Sequence, residues 1–191
     1  MPDFFEVARS QRGVRFYKPD PVSDAVVERI LSAATRAPSG NNKQPWRFVV
    51  VRDSGVKAEL GRLYLLGQAR TRGQSVPSAP PAEGPLPFSF AMEQVPVVIM
   101  VYTAHNTDGA SIYPAVQNLM LAAAAEGLGT RLTTTWRSVE TEVSRLLGVP
   151  DDWDGVALIP LGYPADPDHL GGSRRKPVSE VAFLDHWGVA L

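Results

Sequence analysis

The sequence predicts a single domain that mixes helices and strands without the regular alternation of a doubly wound parallel sheet. Its 191 residues are enough for one hydrophobic core and few for two. Helix-type and strand-type patterns of apolar residues follow one another irregularly along the chain. No internal repeat and no linker divides it, so we expect one domain over residues 1–191.

Two helices open the chain. Residues 3–11 predict a short helix that begins at Asp3. Its predicted buried side comprises Phe4, Phe5, Val7 and Ala8. Ser23 is a plausible N-cap of a second helix, which Pro38 prevents from continuing. The apolar positions that follow the helical period there are Val26, Val27, Ile30, Leu31 and Ala34.

A strand, a helix and a long loop come next. Residues 47–51 are β-branched and short, which predicts a strand, and residues 59–68 predict a helix. Residues 71–90 predict no regular element because they contain five prolines: Pro77, Pro80, Pro81, Pro85 and Pro87. Such a loop is either a plain surface excursion or a lid over a site, and both alternatives stay open. Phe88 and Phe90 give it apolar surface with which to dock.

The next two elements are strongly apolar. Residues 95–102 predict a central strand that is buried on both faces. Residues 113–129 predict a helix, with Pro114 in its first turn and Gly127 as its C-cap glycine. Because this helix is apolar nearly all round, it must be enclosed, and we expect a second subunit to cover part of it.

A helix, a strand and a tail complete the chain. The helix is predicted from Ser138 to a stop at Gly148, and residues 156–164 predict a last core strand in which Pro160 lacks one ladder bond. The tail after residue 170 carries Val178, Val181, Phe183, Leu184 and Trp187. These residues are too apolar for a free end, so we expect the tail to pack on its own domain or on a partner.

Composition excludes several classes of protein. Hydrophobic residues make up 44%, charged residues 20%, and the formal charge is −1, which indicates neither disorder nor general nucleic-acid binding. The absence of cysteine excludes disulfides and iron–sulfur clusters, and His105, His169 and His186 lack metal-ligand spacing. No signal peptide is recognisable, and no apolar run reaches the roughly 18 residues of a spanning helix. We expect a cytoplasmic protein without metal, membrane or nucleic-acid partners.

Three polar clusters separate the core segments. They lie at residues 9–17, 39–45 and 173–176. Arg12 and Arg15 would share one side of the first cluster if the chain there stayed roughly helical. The clusters are either solvated surface and a helix-stop turn, or the arginine forks, hydroxyls and small-residue loops that grip a phosphate and a planar ring.

Residues 12–53 strongly resemble the N-terminal signature of the nitroreductase family of flavoproteins. That signature is an R-x-[SG]-V-R run, an amphipathic helix and an A-P-S-x-x-N-x-Q-P-W motif. The matching positions are Arg12, Gly13, Val14, Arg15, Ala37, Pro38, Ser39, Asn42, Gln44, Pro45 and Trp46. Later blocks such as "VQNLMLAAAAEGLGT", "LGYP" and "RRKPVSEVAFLDHWG" are similar in order and spacing, so the resemblance covers nearly everything outside residues 71–90.

The resemblance implies an α+β fold with a mainly antiparallel central sheet flanked by helices. It also implies an interlocked homodimer with exchanged terminal segments and two FMN molecules at the interface. The functional implication is an oxidoreductase in which NADH or NADPH reduces nitroaromatic, quinone or flavin-type acceptors by ping-pong hydride transfer. Two alternatives stay open, an FMN-dependent oxidase, dehydrogenase or dehalogenase-like enzyme acting on a specific metabolite, and a non-catalytic flavin-storage or sensing module.

The resemblance also assigns the site residues. Arg12 and Arg175, with Arg174 as a helper, match the groups that hold the FMN phosphate, and Arg15 matches a basic position near the flavin N1/C2 carbonyl edge. The loop that meets the ring edge and the ribityl chain corresponds to Pro38, Ser39, Gly40, Asn42 and Gln44, from the opposite subunit. Thr133 and Thr134 match a segment whose backbone faces the ring near N5. No side chain is expected to be catalytic, because the flavin carries the chemistry.

Two positions depart from the family pattern. Gln11 stands where many relatives have a further arginine, and Gly13 stands where they often have serine. The phosphate contacts are therefore expected to depend more on Arg12 and on the arginines of the tail.

Overall fold

The centre of the fold is an antiparallel sheet, which a computed structural model describes together with the rest of residues 2–83, 86–166 and 174–191. Within these residues the sheet has four strands in the order β1-β2-β4-β3. The strands are β1 (Trp46–Val51), β2 (Val97–Ala104), β3 (Gly129–Thr130) and β4 (Trp153–Gly162). The predicted α+β class is therefore confirmed. Pro85, His169 and Ser173 lie outside the described residues.

Strand β2 is central, as its apolar sequence predicts. It pairs with β1 on one side and with β4 on the other, both antiparallel. Alternate residues of β2 enter two different cores: Val97, Ile99 and Val101 face one cluster, and Val98, Met100 and Tyr102 face the other. Both faces of the sheet are therefore covered.

Helices provide the two covers. In chain order they are α1 (Phe4–Ser10), α2 (Asp24–Ala34), α3 (Ser54–Arg72), α4 (Phe88–Ala91), α5 (Tyr113–Ala125) and α6 (Glu140–Leu147). Helices α2 and α5 pack on each other over the first core. Helices α3 and α6, with the short 3-10 helix Thr135–Val139, cover the second core. No helix in the described part of the chain combines the length and the apolar character needed to cross a membrane.

Local capping explains where several helices begin and end. The Ser23 hydroxyl accepts a hydrogen bond from the Val26 N–H at 3.4 Å, so the predicted N-cap of α2 is confirmed. Gly148 ends α6 and Gly127 follows α5, with φ angles of 66° and 75°. Those left-handed angles favour glycine, which is why both helix ends were readable from the sequence.

Three local predictions were wrong. Only Val7 of α1 is buried, whereas Phe4, Phe5 and Ala8 are exposed, because a seven-residue helix that packs on α5 covers only one of its sides. Helix α6 begins at Glu140, and the Ser138 hydroxyl instead donates to the Gly67 carbonyl at 3.1 Å. The 71–90 region is helical at both ends, since α3 continues to Arg72 and α4 begins at Phe88.

The apolar surfaces that the sequence marks for enclosure are only partly covered by this chain. In α5, Leu119 and Ala123 are fully buried, but Tyr113 remains 45% exposed. In the tail, Trp187 is 91% exposed and contacts the ring of Phe183 at a centroid distance of 4.9 Å. The described tail thus does not bury its apolar residues against its own domain.

Candidate functional site

The basic run at residues 12–15 is extended and lies beside β3. Helix α1 ends at Ser10, Gly13 forms a parallel bridge with Thr130, and the Val14 N–H donates to the Thr130 carbonyl at 2.9 Å. The helical premise that would put Arg12 and Arg15 on a common side is therefore wrong, because successive residues of an extended segment face opposite sides and these two arginines are three positions apart. Arg12 is partly buried, and Arg15 is exposed.

Close backbone approach fixes this run against β3. A Cβ atom on Gly129 would lie 2.5 Å from Cγ2 of Val14, so no larger residue fits there without displacement of buried Val14. A Cβ atom on Gly13 would lie 3.5 Å from Cγ of Arg131, which is an ordinary contact. Gly129 is thus required for the pairing, while Gly13 leaves space beside Arg131.

The two predicted threonines differ in environment. Thr133 is buried, and its backbone N–H and carbonyl both pair with Leu158 of β4, at 3.1 and 3.0 Å. Its hydroxyl lies 2.8 Å from that of Tyr64 and 3.2 Å from that of Thr135. Thr134 is exposed. Thr134 is consequently the member of the pair that can meet a ligand, while Thr133 ties the segment to the sheet.

The polar loop at residues 39–44 has an unusual backbone. Asn41, Asn42 and Gln44 have φ angles of 52°, 53° and 47°, in a left-handed region that asparagine tolerates better than most residues. The Ser39 hydroxyl accepts from the Gln44 N–H at 3.0 Å, and the Ser111 hydroxyl accepts from the Gly40 N–H at 3.1 Å. The loop therefore has a defined backbone.

The side chains of this loop are mostly exposed, and the two residues that follow it are buried. Pro38, Gly40, Asn42 and Gln44 are exposed and Ser39 is partly buried, whereas Pro45 and Trp46 beyond them are buried. The loop thus presents amide groups outward from a buried base.

The tail arginines lie at the surface of the described chain. Arg174 and Arg175 are exposed, and a guanidinium N–H of Arg175 donates to the Arg174 carbonyl at 3.3 Å. Direct backbone pairing within one chain therefore joins the basic run to β3. The contacts described above for the polar loop and for the tail do not reach the basic run or β3.

A cavity of about 600 Å³ lies beside the basic run. Helix α3 and residues 77–81 and 87–90 form its walls, and Arg15 and Arg131 also line it. The described residues of the long proline-rich loop thus form part of the wall of a cavity that is partly open to solvent. A volume of this size is in the range of pockets that bind small molecules.

Sequence reasoning missed Arg131 and Tyr64. A guanidinium N–H of Arg131 donates to the Tyr64 hydroxyl at 3.0 Å, and the guanidinium lies 5.1 Å from the centroid of the Phe88 ring. Tyr64 lies in no motif, whereas Arg131 directly follows the family-like block that ends at Thr130, and this polar position two residues before Thr133 was the available hint.

Nearby Tyr17 is a neutral hydrogen-bond donor. Its hydroxyl donates to the Val14 carbonyl at 2.7 Å. Burial strongly raises the pKa of this phenol, and the positive charge of Arg131 only partly opposes that shift. Tyr17 therefore keeps its proton and helps to hold the basic run in place.

Comparison with known proteins agrees with the family resemblance of the sequence motifs. The sequence pattern of the nitroreductase family matches residues 8–163. A 5,6-dimethylbenzimidazole synthase of Rhodobacter capsulatus is 32% identical over 83% of this chain and 82% of its own length. An NADH dehydrogenase of Thermus thermophilus is 29% identical over 92% of this chain and 93% of its own length.

A solved structure is similar in fold. Oxidized iodotyrosine deiodinase bound to FMN and 3-iodo-L-tyrosine has a TM-score of 0.76 and 23% identity, over 92% of this chain and 96% of that chain.

Proposed function

Because this chain belongs to the nitroreductase family, we propose that it is an FMN-dependent oxidoreductase that uses NADH or NADPH to reduce a small aromatic acceptor. The observation that carries the proposal is the pairing of the basic run with β3 directly beside the cavity that Arg15 lines. The name of the Thermus thermophilus relative supports a nicotinamide donor. The FMN in the iodotyrosine deiodinase structure supports the cofactor.

The residues present fit FMN. Arg12 offers a guanidinium to the phosphate, and bidentate arginine contacts suit that dianion. Arg15 offers a positive charge at the pyrimidine edge of the ring, and the polar loop presents exposed amides of Asn42 and Gln44 to a hydrogen-bonding ring edge. When bound, the flavin supplies the two-electron chemistry by taking up a hydride at N5 and passing the electrons on.

The chain's own groups would bind and orient the reactants. Arg15 would supply a positive charge where negative charge develops on the bound flavin, and exposed Thr134 lies on the segment that matches the N5 side of the ring. Residues 77–81 and 87–90 line one side of the cavity and would reduce the access of bulk water to the reactants. No acid–base pair is needed, and protons come from solvent.

We also infer a homodimer with exchanged ends. In one chain the tail arginines stand away from the core, and Trp187 and Leu191 are 91% and 72% exposed. A second copy would cover these residues and would bring Arg174 and Arg175 to the phosphate, with the polar loop of one copy facing the ring held by the other. The site would then be complete only in the dimer.

One observation favours a second candidate. The cavity beside the proline-rich loop suits an enzyme that acts on one metabolite, and relatives include the dimethylbenzimidazole synthase and iodotyrosine deiodinase. An FMN-dependent oxidase, dehydrogenase or dehalogenase-like enzyme of this kind would share the cofactor site. Its flavin would not be reduced at a useful rate by either nicotinamide.

The first test is the absorption spectrum of the purified protein, followed by anaerobic titration with NADH and NADPH. We expect a bound-flavin spectrum that bleaches with at least one donor. Bleaching by neither would exclude the reductase while leaving the second candidate. A colourless protein that takes up no added FMN would exclude both.

The Arg12→Ala variant tests the phosphate contact. Removal of a charged hydrogen-bonding partner costs about 1.5 to 3 kcal/mol, so FMN affinity should fall by about 10- to 100-fold. Fluorescence titration of the apoprotein with FMN measures this. Arg62→Ala is the control, because Arg62 forms its ion pair with Glu59, one turn away on the exposed side of α3. Equal affinities in the two variants would contradict the assignment.

A further inference from the structure

The cavity beneath the proline-rich loop carries positive charge that the cofactor contacts leave unused. Its charged lining residues are Arg15, Arg72 and Arg131, and no acidic side chain is among the described residues that line it. Only Arg15 has an assigned role toward the flavin. The other two guanidinium groups therefore make the cavity attractive for an anion.

Arg131 is the best positioned of these groups. It is partly buried, while Arg15 and Arg72 are exposed. The Tyr64 hydroxyl accepts one of its hydrogen bonds at 3.0 Å, and the Phe88 ring lies 5.1 Å from the guanidinium carbon. No ion pair of Arg131 with an acidic side chain occurs within the described ranges. A guanidinium has five N–H donors, so a planar fork remains available to a ligand.

Tyr64 connects this group to the sheet. It is only 2% exposed, and its hydroxyl also lies 2.8 Å from that of buried Thr133. Thr133 in turn pairs with Leu158 of β4 through both backbone groups. The orientation of Arg131 is therefore set by a buried chain of contacts and not by a flexible surface position, which is the condition for selective binding.

The remaining walls suit a flat apolar molecule. Phe88 packs edge-on against Tyr64 at a centroid distance of 5.5 Å, and Phe16, Phe90 and several prolines of the loop also line the cavity. Aromatic and proline rings offer flat faces without hydrogen-bonding demands. The cavity thus combines a slot for a ring with one oriented guanidinium.

We propose that the acceptor is a planar aromatic molecule with a carboxylate group, which Arg131 binds while the ring lies between the proline-rich loop and α3. Arg131 determines specificity, and Tyr64 is a positioning residue. This inference rests on the proposed function, because it names the substrate class of the same site. The phosphate groups of a nicotinamide donor present related anionic chemistry, so the experiment separates donor from acceptor.

Binding to the oxidised holoenzyme, without any donor, is the main test. We use 4-nitrobenzoate and 4-nitrobenzamide, which have similar shape but different charge, and measure both dissociation constants by isothermal titration calorimetry. We expect the carboxylate to bind at least about tenfold more tightly than the amide, the effect of one charge-assisted contact. Equal binding of the two probes would overturn the proposal.

Variants locate the effect. Arg131→Gln should abolish the preference for the carboxylate, and Arg131→Lys, which keeps the charge but loses the fork, should retain only part of it. Tyr64→Phe should reduce the preference and raise KM for 4-nitrobenzoate more than it changes kcat. Arg62→Gln, on the exposed side of α3, should behave as wild type. An undiminished preference in Arg131→Gln would refute the role of that residue.

The outcomes distinguish this inference from the function on which it rests. A protein that binds FMN and is bleached by NADH or NADPH, but binds both probes equally, retains the proposed function and loses the inference. If Arg131→Gln weakens NADPH but not 4-nitrobenzoate, the donor phosphate is the anion, and the acceptor proposal is wrong. Thermal unfolding of each variant with FMN bound verifies that the fold is intact.

Discussion

The basic run at residues 12–15 and the tail at residues 174–191 both carry arginines that we propose to contact the same phosphate, yet the fold supports the two segments differently. The run lies along β3, with Val14 only 8% exposed and its N–H bonded to Thr130. The tail leaves Trp187 91% exposed. Both segments mix arginine with apolar residues, so composition does not reveal which one its own chain supports.

The difference shows where a site can be rigid in one chain. Paired backbone and a buried side chain hold the basic run, whereas most of the described tail is exposed and its Phe183–Ala190 bridge lies within the tail itself. A guanidinium on the run is thus already positioned before any partner binds. One on the tail gains its position only from a second surface, for which we propose the second copy of the chain.

The largest expected effect concerns the basic run, which pairs with β3 of its own chain. In Gly129→Ala the new methyl group would overlap Val14, where a Cβ atom meets Cγ2 at 2.5 Å. Such overpacking costs about 1 to 3 kcal/mol of unfolding free energy. Urea unfolding measures the loss, and FMN titration should show weaker binding because the basic run is displaced.

Gly13→Ala is the matched control for that variant, because its Cβ atom would make only an ordinary 3.5 Å contact with Arg131. The double variant Val14→Ala/Gly129→Ala should recover part of the loss relative to the sum of the single changes. If Gly13→Ala were as destabilising as Gly129→Ala, the close approach would not be what holds the run.

In the tail, which its own chain does not support, we expect a smaller effect on the unfolding free energy but a clear effect on dimer assembly. Trp187→Ser should barely change the unfolding free energy of one chain because the indole is exposed. It should raise the dimer dissociation constant by about tenfold or more, since buried tryptophans dominate interfaces. Sedimentation equilibrium measures this. Val76→Ser, at a residue 44% exposed in the proline-rich loop, is the control, and identical constants for both variants would contradict a role for the tail.

The smallest expected effect on the unfolding free energy comes from an isolated surface contact. His105 and Asp154 pair at 2.7 Å with both side chains about half exposed, 47% and 45%. Hydrogen bonding to Asp154 raises the pKa of His105 in the folded protein. The protonated form is favoured by folding, so the contribution is complete below the unfolded pKa of about 6.5 and disappears as pH rises through the higher folded pKa.

His105→Gln should therefore lower the unfolding free energy slightly at pH 5.5 and leave it unchanged at pH 9. Urea unfolding of wild type and variant at the two pH values provides the measurement. A larger difference at pH 9 would have the wrong sign and would refute the assigned pair. The loss of unfolding free energy in Gly129→Ala should exceed this small effect if the chain itself supports the basic run.

The sequence by itself determined the elements and the family. Ser23, Gly127 and Gly148 marked helix ends because caps act within a few residues, and the apolar run of β2 identified a strand buried on both faces. The nitroreductase resemblance rested on residues that stand close together in the motifs around Arg12 and Ser39. These signals are local, so they survive without knowledge of the fold.

Only the tertiary structure decided what lies side by side. Val14 meets Gly129, and Arg131 meets Tyr64 across 67 positions of sequence. The basic run became extended because β3 offered it a partner, and Phe4 and Phe5 stayed exposed because α1 has one covered side. Such contacts depend on how distant segments pack, and no local periodicity encodes the distance between them.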